Sequence, residues 1–213
     1  MIELHPTELF FPDPKHYHPL SGLVACGGDL SPARLSLSYD LGIFPWYNPG
    51  EEILWWCPDP RFVLFPERLK ISKSMRKILK AETFSFTENQ CFEGVMRNCM
   101  MIPRREQDGT WISEELIAGF LQLHREGKAK SIEVWQSGAL VGGFYGVEVN
   151  KVFCGESMFS KVSNASKAGF IHFVEQYKNH FTLIDCQVYS EHLESLGAEM
   201  ISKMDYLEVL SDK

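Results

Sequence analysis

The sequence has six cysteines, Cys26, Cys57, Cys91, Cys99, Cys154 and Cys186, but no C-x-x-C pair among them. That spacing argues against a zinc site or a disulfide framework and reads as reduced thiols, mostly buried as small hydrophobes. No apolar run approaches the roughly 18 residues of a membrane span. The opening Met1-Ile2-Glu3-Leu4-His5-Pro6 lacks the basic and apolar regions of a secretion signal. A cytoplasmic protein with no membrane partner is therefore expected. Also missing are the G-x-x-x-x-G-K-[ST] phosphate loop, a G-x-G-x-x-G turn between strand and helix, and H-E-x-x-H. Gly27-Gly28-Asp29 and Gly142-Gly143 read instead as turn and bulge glycines. Positive charge is scarce: the net charge of -7 argues against a grip on nucleic acid over the whole surface and leaves room only for a local patch.

What is present suffices for a folded protein. Hydrophobic residues make up 45% of 213, enough for a sizeable core, and aromatics reach 13%, which suggests apolar clusters or pockets beyond ordinary core. Ser31-Pro32 opens a helix that stops at Gly42. The segment 44–50, Phe-Pro-Trp-Tyr-Asn-Pro-Gly, is a rigid aromatic loop. Strands are predicted over 53–57 and 62–65, a basic helix over 72–80, and a strand over 84–87. A helix follows over 89–100 with Phe92, Val95, Met96 and Cys99 on its apolar face. A polar loop with Arg104, Arg105, Asp108 and Gly109 precedes a helix capped by Ser113. Then come strands over 131–136 and 140–149, joined by a Ser137-Gly138 hairpin, and a third over 152–159. A helix over 165–178, a strand over 183–188 and a helix over 202–210 complete the pattern. The fold class is α+β, parsed as a small N-terminal domain, 1–62, and a larger domain, 63–213.

Five groups of residues are candidates for chemistry. Leu183, Asp185 and Gln187 share one face of a strand, because side chains alternate with period two. That sets two polar side chains together in an apolar segment; the bland alternative is a face turned to water. Cys186 has no activating base near it in sequence, so a thiol nucleophile is disfavoured. Val152, Cys154, Glu156 and Met158 are expected to share a face, and a carboxylate there needs a partner, a ligand or a structural hydrogen bond. Phe170, Phe173, Val174 and Tyr177 form a helical stripe that is either core or one wall of a pocket. Trp46 and Trp111 sit in loops, where an indole either stacks on a base or plugs a domain interface. Arg76, Lys77 and Lys80 lie on the basic helix and are either solvated or in contact with phosphates. None of these signals alone names a reaction.

Together the motifs resemble those of leucyl/phenylalanyl-tRNA–protein transferases. The resemblance rests on Gly27-Gly28-Asp29-Leu30-Ser31-Pro32, Gly42-Ile43-Phe44-Pro45-Trp46, Ile53-Leu54-Trp55-Trp56-Cys57-Pro58-Asp59-Pro60-Arg61, Thr110-Trp111-Ile112, Ser131-Ile132-Glu133-Val134-Trp135, the segment 155–160, Asn164-Ala165-Ser166-Lys167, Leu183-Ile184-Asp185-Cys186-Gln187 and Ser195-Leu196-Gly197-Ala198. These occur in order from about residue 11 to 206. Departures are Cys57 where the family more often has Ser, the run Lys15-His16-Tyr17-His18, and a shorter C-terminal end.

The resemblance implies a C-terminal domain of the GCN5-related N-acetyltransferase type, also called acyl-CoA N-acyltransferase-like. It implies transfer of Leu or Phe, less well Met, from aminoacyl-tRNA to proteins beginning with Arg or Lys, in the bacterial N-end rule. By resemblance Asp185 acts as base or proton relay, directly or through Gln187. Phe144, Glu156, Met158, Phe170, Phe173, Tyr177 and Ile184 would form the aminoacyl pocket, Trp46 and Trp111 would flank the terminal adenosine, and Arg76, Lys77 and Lys80 would hold phosphates. The ester is already activated, so no cofactor and no metal is expected. The competing acyl-CoA N-acetyltransferase needs a glycine-rich pyrophosphate loop, and 161–166 contains no glycine, so coenzyme A is not expected. A tRNA- or degron-binding adaptor is the non-enzymatic alternative.

Overall fold

In a computed structural model, which describes residues 2–16, 21–102 and 110–212, the elements run β1 (Ile2–Leu4), β2 (Leu23–Gly27), α1 (Pro32–Asp40), β3 (Phe44–Pro45), β4 (Leu54–Trp56), β5 (Arg61–Leu64), α2 (Lys73–Lys80), β6 (Ser85–Glu88), α3 (Phe92–Met101), α4 (Glu114–Arg125), β7 (Ala129–Gln136), β8 (Ala139–Val149), β9 (Val152–Ser160), α5 (Ala165–Tyr177), β10 (Leu183–Gln187), α6 (Glu191–Glu194), β11 (Glu199–Ile201) and α7 (Lys203–Ser211). The polar-loop residues Arg104, Arg105, Asp108 and Gly109, with Tyr17 and His18, lie outside the described residues.

Among the described residues there are two sheets. The smaller has the order β1-β2-β4-β3 and the larger β11-β5-β10-β9-β8-β7-β6. Neighbours in the larger sheet are antiparallel except β9 and β10, which run parallel. β5 begins at Arg61 and belongs to the larger sheet, so a division at residue 62 passes through it.

Local chemistry explains most elements. Ser31 caps α1 by accepting from the Arg34 amide at 3.3 Å, and Pro32 occupies the first turn. Ser137 and Gly138 both have positive φ, 51° and 78°, as a tight hairpin joining β7 to β8 requires. Ser72, Ser113 and Ser202 each cap the helix that follows. Gly42, φ 73°, ends α1, and a Cβ there would stand 2.8 Å from Tyr206 and 2.9 Å from Leu207. α7 therefore closes directly onto the end of α1.

Alternation along the strands divides the core. Tyr145, Cys154 and Leu183 face a cluster shared with α1, α3, α4, α7 and the smaller sheet. Phe144, Phe153 and Ile184 face a second cluster with α5, and α2 packs on α5.

Several expectations need correction. The sheet edges β1 and β11, the strands β2 and β3, and the short α6 are absent from the sequence reading; most are two to four residues long, too short to show a period. The Gly142-Gly143 pair lies in the ladder beside a bulge; the register slips at Val141, with Val134 opposite Gly142 and Trp135 opposite Leu140. Gly142 instead lets α5 approach, since a Cβ would meet that of Ala165 at 2.8 Å. α3 starts at Phe92 rather than residue 89. Asn89 has φ 60° and cannot be helical, and the helix start is fixed from outside. Glu133, 0% exposed in the middle of β7, takes hydrogen bonds from the Gln90 and Cys91 amides at 3.4 and 3.3 Å and from the Thr87 and Ser131 hydroxyls at 2.5 and 2.6 Å. A buried carboxylate thus meets the positive end of α3.

Glu133→Gln replaces an acceptor of four bonds by a group that must turn an NH2 towards two of its donors. Denaturant unfolding is expected to show a loss of about 3 kcal/mol; a change below about 0.5 kcal/mol would contradict this account of the helix start.

Candidate active site

β9 and β10 pair only at Leu183–Val152, Ile184–Phe153 and Asp185–Cys154. Beyond that point they part, and each carries a bulge at the fork. On β9, Tyr145 opposes Ser157 and Gly146 opposes Gly155, which leaves Glu156 extra. On β10, Asp185 opposes Val63 and Gln187 opposes Phe62, which leaves Cys186 extra. Gln187 takes φ 63°, a left-handed bend that few non-glycine residues adopt. Bulges re-aim side chains. Here they turn Glu156 and Gln187 towards each other, with Gln187 Nε2 donating to Glu156 Oε1 at 2.5 Å.

The fork opens into a cavity of about 470 Å³. Phe144, Met158, Phe170 and Ile184 supply its apolar wall, and Glu156, Asp185 and Gln187 its polar end. Trp46 and Trp111, contributed by the loops after β3 and before α4, line it too. Trp46 is partly exposed and stands 6.0 Å from the Trp56 ring, whose Nε1 donates to the Trp46 carbonyl.

Three expectations about the site change. Met158 does not share a face with Val152 and Cys154, because the Glu156 bulge reverses the alternation and puts Met158 against the second cluster. Phe173 is fully buried, its ring 4.5 Å from Phe153 and 5.4 Å from Phe144, and it backs the cavity wall without lining it. Tyr177 is one turn further along α5, where its hydroxyl donates to Glu88 at 2.5 Å, away from the cavity. Arg76, Lys77 and Lys80 are exposed on α2 and none of them lines the cavity.

Asp185 is 0% exposed and its carboxylate is filled. Oδ1 accepts from Arg61 Nε and from the Gln187 amide, both at 2.8 Å; Oδ2 accepts from Arg61 Nη2 at 2.6 Å and from the Tyr206 hydroxyl at 3.0 Å. The Arg61 guanidinium lies 4.8 Å from the Phe44 ring and 4.4 Å from the Tyr206 ring. Burial alone would lower the pKa of Arg61, but the Asp185 charge raises it well above its usual value. Burial and the same negative charge raise that of Tyr206, so it remains a donor. Sequence reasoning missed both residues. Arg61 sits at the end of a quoted motif, as a cation opening an otherwise apolar strand; nothing marks Tyr206.

Burial pushes the Glu156 carboxyl up to about 8; hydrogen bonding from the Tyr39 and Gln187 side opposes this and the Asp185 charge adds to it. The Tyr39 hydroxyl lies beside Glu156, yet neither it nor Glu156 Oε2 completes a hydrogen bond of ordinary geometry. Burial, reinforced by Asp185, raises the pKa of Cys154 and Cys186 and so disfavours a thiolate at the fork. None of the six cysteines forms a disulfide among the described residues. Among the described residues, no helix is long and apolar enough to cross a membrane.

The sequence matches the family described as Leucyl/phenylalanyl-tRNA protein transferase over residues 63–211, and the N-terminal domain of that family over residues 28–59. It is 54% identical over 207 residues to a leucyl/phenylalanyl-tRNA–protein transferase of Flavobacterium johnsoniae, covering 97% of each chain. To that of Christiangramia forsetii it is 53% identical over 213 residues, covering 99% of this chain and 100% of the relative. Among solved structures it is similar to a GCN5-related N-acetyltransferase from Kribbella flavida, 8% identical with a TM-score of 0.40, covering 77% of this chain and 58% of that one. With half its positions identical to such relatives along nearly its whole length, and both of the family's characteristic segments matched in order, this chain belongs to the leucyl/phenylalanyl-tRNA protein transferase family and is a transferase.

Proposed function

We propose that this protein transfers leucine or phenylalanine, and less readily methionine, from aminoacyl-tRNA to the N-terminal Arg or Lys of acceptor proteins, in the cytoplasm, marking them for N-end rule degradation. The observation that carries the reading is an apolar slot that ends on a pair of polar side chains, Glu156 and Gln187. The slot takes the aminoacyl side chain. A wall of Phe144, Met158, Phe170 and Ile184 suits long side chains unbranched at Cβ, and apolar contacts discriminate among these by only about 1–3 kcal/mol per methylene. Trp46 and Trp111 at the same cavity flank the terminal adenosine. Arg76, Lys77 and Lys80, exposed on α2, hold phosphates and supply the local patch that a net charge of -7 otherwise denies. We read the chain as a small N-terminal domain followed by a catalytic domain of the GCN5 acetyltransferase type, in which the parting of β9 and β10 makes room for the acyl donor.

The reaction is aminolysis. The acceptor's α-amine, with a pKa near 8, is partly neutral at cytosolic pH. Its nitrogen attacks the ester carbonyl, the N–C bond forms, and the C–O bond to the ribose breaks. The proton that the nitrogen loses ends on the departing ribose oxygen. Gln187 Nε2 is engaged by Glu156, so Gln187 Oε1 is the atom left to accept from the attacking amine and aim its lone pair. Asp185 acts through Gln187: its own oxygens are occupied, and one of them holds the Gln187 amide. A largely neutral Glu156 holds Gln187 without setting a second full negative charge beside Asp185. Much of the rate comes from holding two substrates together.

Incubation with labelled leucyl-tRNA and a protein beginning with Arg should label that protein at its α-amine, and blocking the amine by acetylation should abolish labelling. Failure to label would remove the reading. Gln187→Ala should lower kcat by about 10²-fold with little change in KM for leucyl-tRNA, as measured in the same assay.

Two further measurements follow from charge. The neutral Glu156 carboxyl contributes stability that is fully present below about pH 4.5 and is lost as the pH rises through about 8, because the folded state holds the proton more tightly than the unfolded chain. Thermal unfolding across that range should show wild-type stability falling relative to Glu156→Gln as the pH rises; parallel curves would contradict the shift. Replacing Arg76, Lys77 or Lys80 by Ala should reduce the slope of log affinity for tRNA against log salt by about 1 for each phosphate that is no longer neutralised.

A further inference from the structure

We propose that Arg61 and Tyr206 are positioning residues for the transfer step, clamping Asp185 so that it holds Gln187 in its left-handed bend with the side chain amide aimed into the cavity. The inference rests on the role given to Gln187 under Proposed function and extends it to two residues outside the cavity wall.

The Asp185 carboxylate is saturated. An ionised carboxylate offers about four lone-pair sites. At Asp185 two go to Arg61, one to Tyr206 and one to the backbone amide of Gln187. No site remains for a substrate proton, so the carboxylate works as a fixed anchor. Of the four bonds, only the one to the Gln187 amide points towards the reacting region.

That bond fixes an unfavourable backbone. Gln187 has φ 63°, which a β-strand residue abandons unless its surroundings hold it. The Val188 amide closes the turn around it on the Cys186 carbonyl at 2.8 Å, while the Asp185 Oδ1 contact with its amide and the Glu156 contact with its side chain are the side-chain hydrogen bonds that hold it. Releasing Asp185 frees the Gln187 amide, and the side chain then loses its aim without losing its chemistry.

Arg61 and Tyr206 are built to prevent that release. Arg61 is 1% exposed and Tyr206 0%. The guanidinium is packed against the rings of both Phe44 and Tyr206, which restricts its movement. Its Nε and Nη2 meet both carboxylate oxygens in the fork geometry that only arginine provides. The Tyr206 hydroxyl fixes the rotation of the carboxylate about its own axis. Phe44 also lines the cavity, so the substrate and the clamp share a wall.

The test is steady-state transfer of labelled leucine to an acceptor beginning with Arg, using Arg61→Lys and Tyr206→Phe, each alone and combined with Gln187→Ala. Lysine keeps the charge and loses the fork. Phenylalanine keeps the ring over Arg61 and loses one hydroxyl, so Tyr206→Phe carries the test where Arg61→Lys fails to fold. Each single variant should lower kcat by about tenfold, on the scale at which outer-shell partners act. KM for leucyl-tRNA should stay within about twofold, because the apolar slot is untouched. In the Gln187→Ala background both changes should become silent in kcat, since there is no longer a side chain to aim. Losses that persist undiminished in that background, or that appear in KM, would reduce Arg61 and Tyr206 to a structural role and overturn the proposal while leaving Gln187 in place. Wild-type kcat in Gln187→Ala alone would remove Gln187 from the reaction, and the proposal with it.

Discussion

Taking a carboxylate and a guanidinium out of water costs several kcal/mol for each ion, and their attraction repays this only when the geometry is excellent and the remaining polar atoms are satisfied. Arg61 and Asp185 meet that condition at the carboxylate, through two short parallel bonds, a tyrosine hydroxyl and a backbone amide, while Arg61 Nη1 is buried without a hydrogen-bond partner among the described residues. Such a pair adds little net stability but penalises every arrangement that separates its members. The penalty falls on the architecture: Arg61 starts β5, Asp185 lies on β10, Tyr206 on α7 and Phe44 on β3. Four elements distant in sequence are thereby held in one geometry at the point where the large sheet forks.

The fork lies at that junction. Parallel strands normally stay paired along their length, and β9 and β10 stop after three registers. β9 remains tied to β8 up to Ser160, while β10 is drawn towards β5 at Gln187. Each strand absorbs the divergence in one extra residue, Glu156 or Cys186. The bulges therefore both open the space and set the polar pair across it. Because the walls are side chains of two separate apolar clusters, the cavity has a rigid outline that a single flexible loop would not give.

What the sequence displayed follows from the range of each interaction. Helices marked by a cap, as α1, by an apolar stripe, as α5, or by both, as α4, were legible, because everything that defines them lies within a dozen residues. The hairpin at Ser137-Gly138 was legible for the same reason. The start of α3 was not, since its cap is Glu133, more than forty residues away on β7. Period two placed Asp185 and Gln187 together, and both do line the cavity. The same rule failed at Met158, because a bulge is a relation between two strands and leaves no mark in either one alone. Phe173 and Tyr177 were grouped with Phe170 by helical spacing, yet a cavity meets only the end of a helix face nearest to it. Arg61 was visible as a residue and invisible as a partner, since its counterpart lies 124 positions away.

The electrostatics of the site also become clearer with the pair in place. Asp185 carries a charge that Arg61 neutralises at once, and Glu156, 31 residues from Gln187 in sequence, is kept largely neutral by burial. The cavity thus ends on polar groups without an uncompensated charge. For the proposed chemistry this matters, because a free carboxylate there would favour the acceptor as an ammonium ion, which cannot attack. A neutral acid and an amide favour the amine while still offering it an acceptor. Under the proposed function, recognition of a cationic first side chain on the acceptor falls to groups outside the slot, and the slot itself remains apolar enough to take a leucine or phenylalanine side chain.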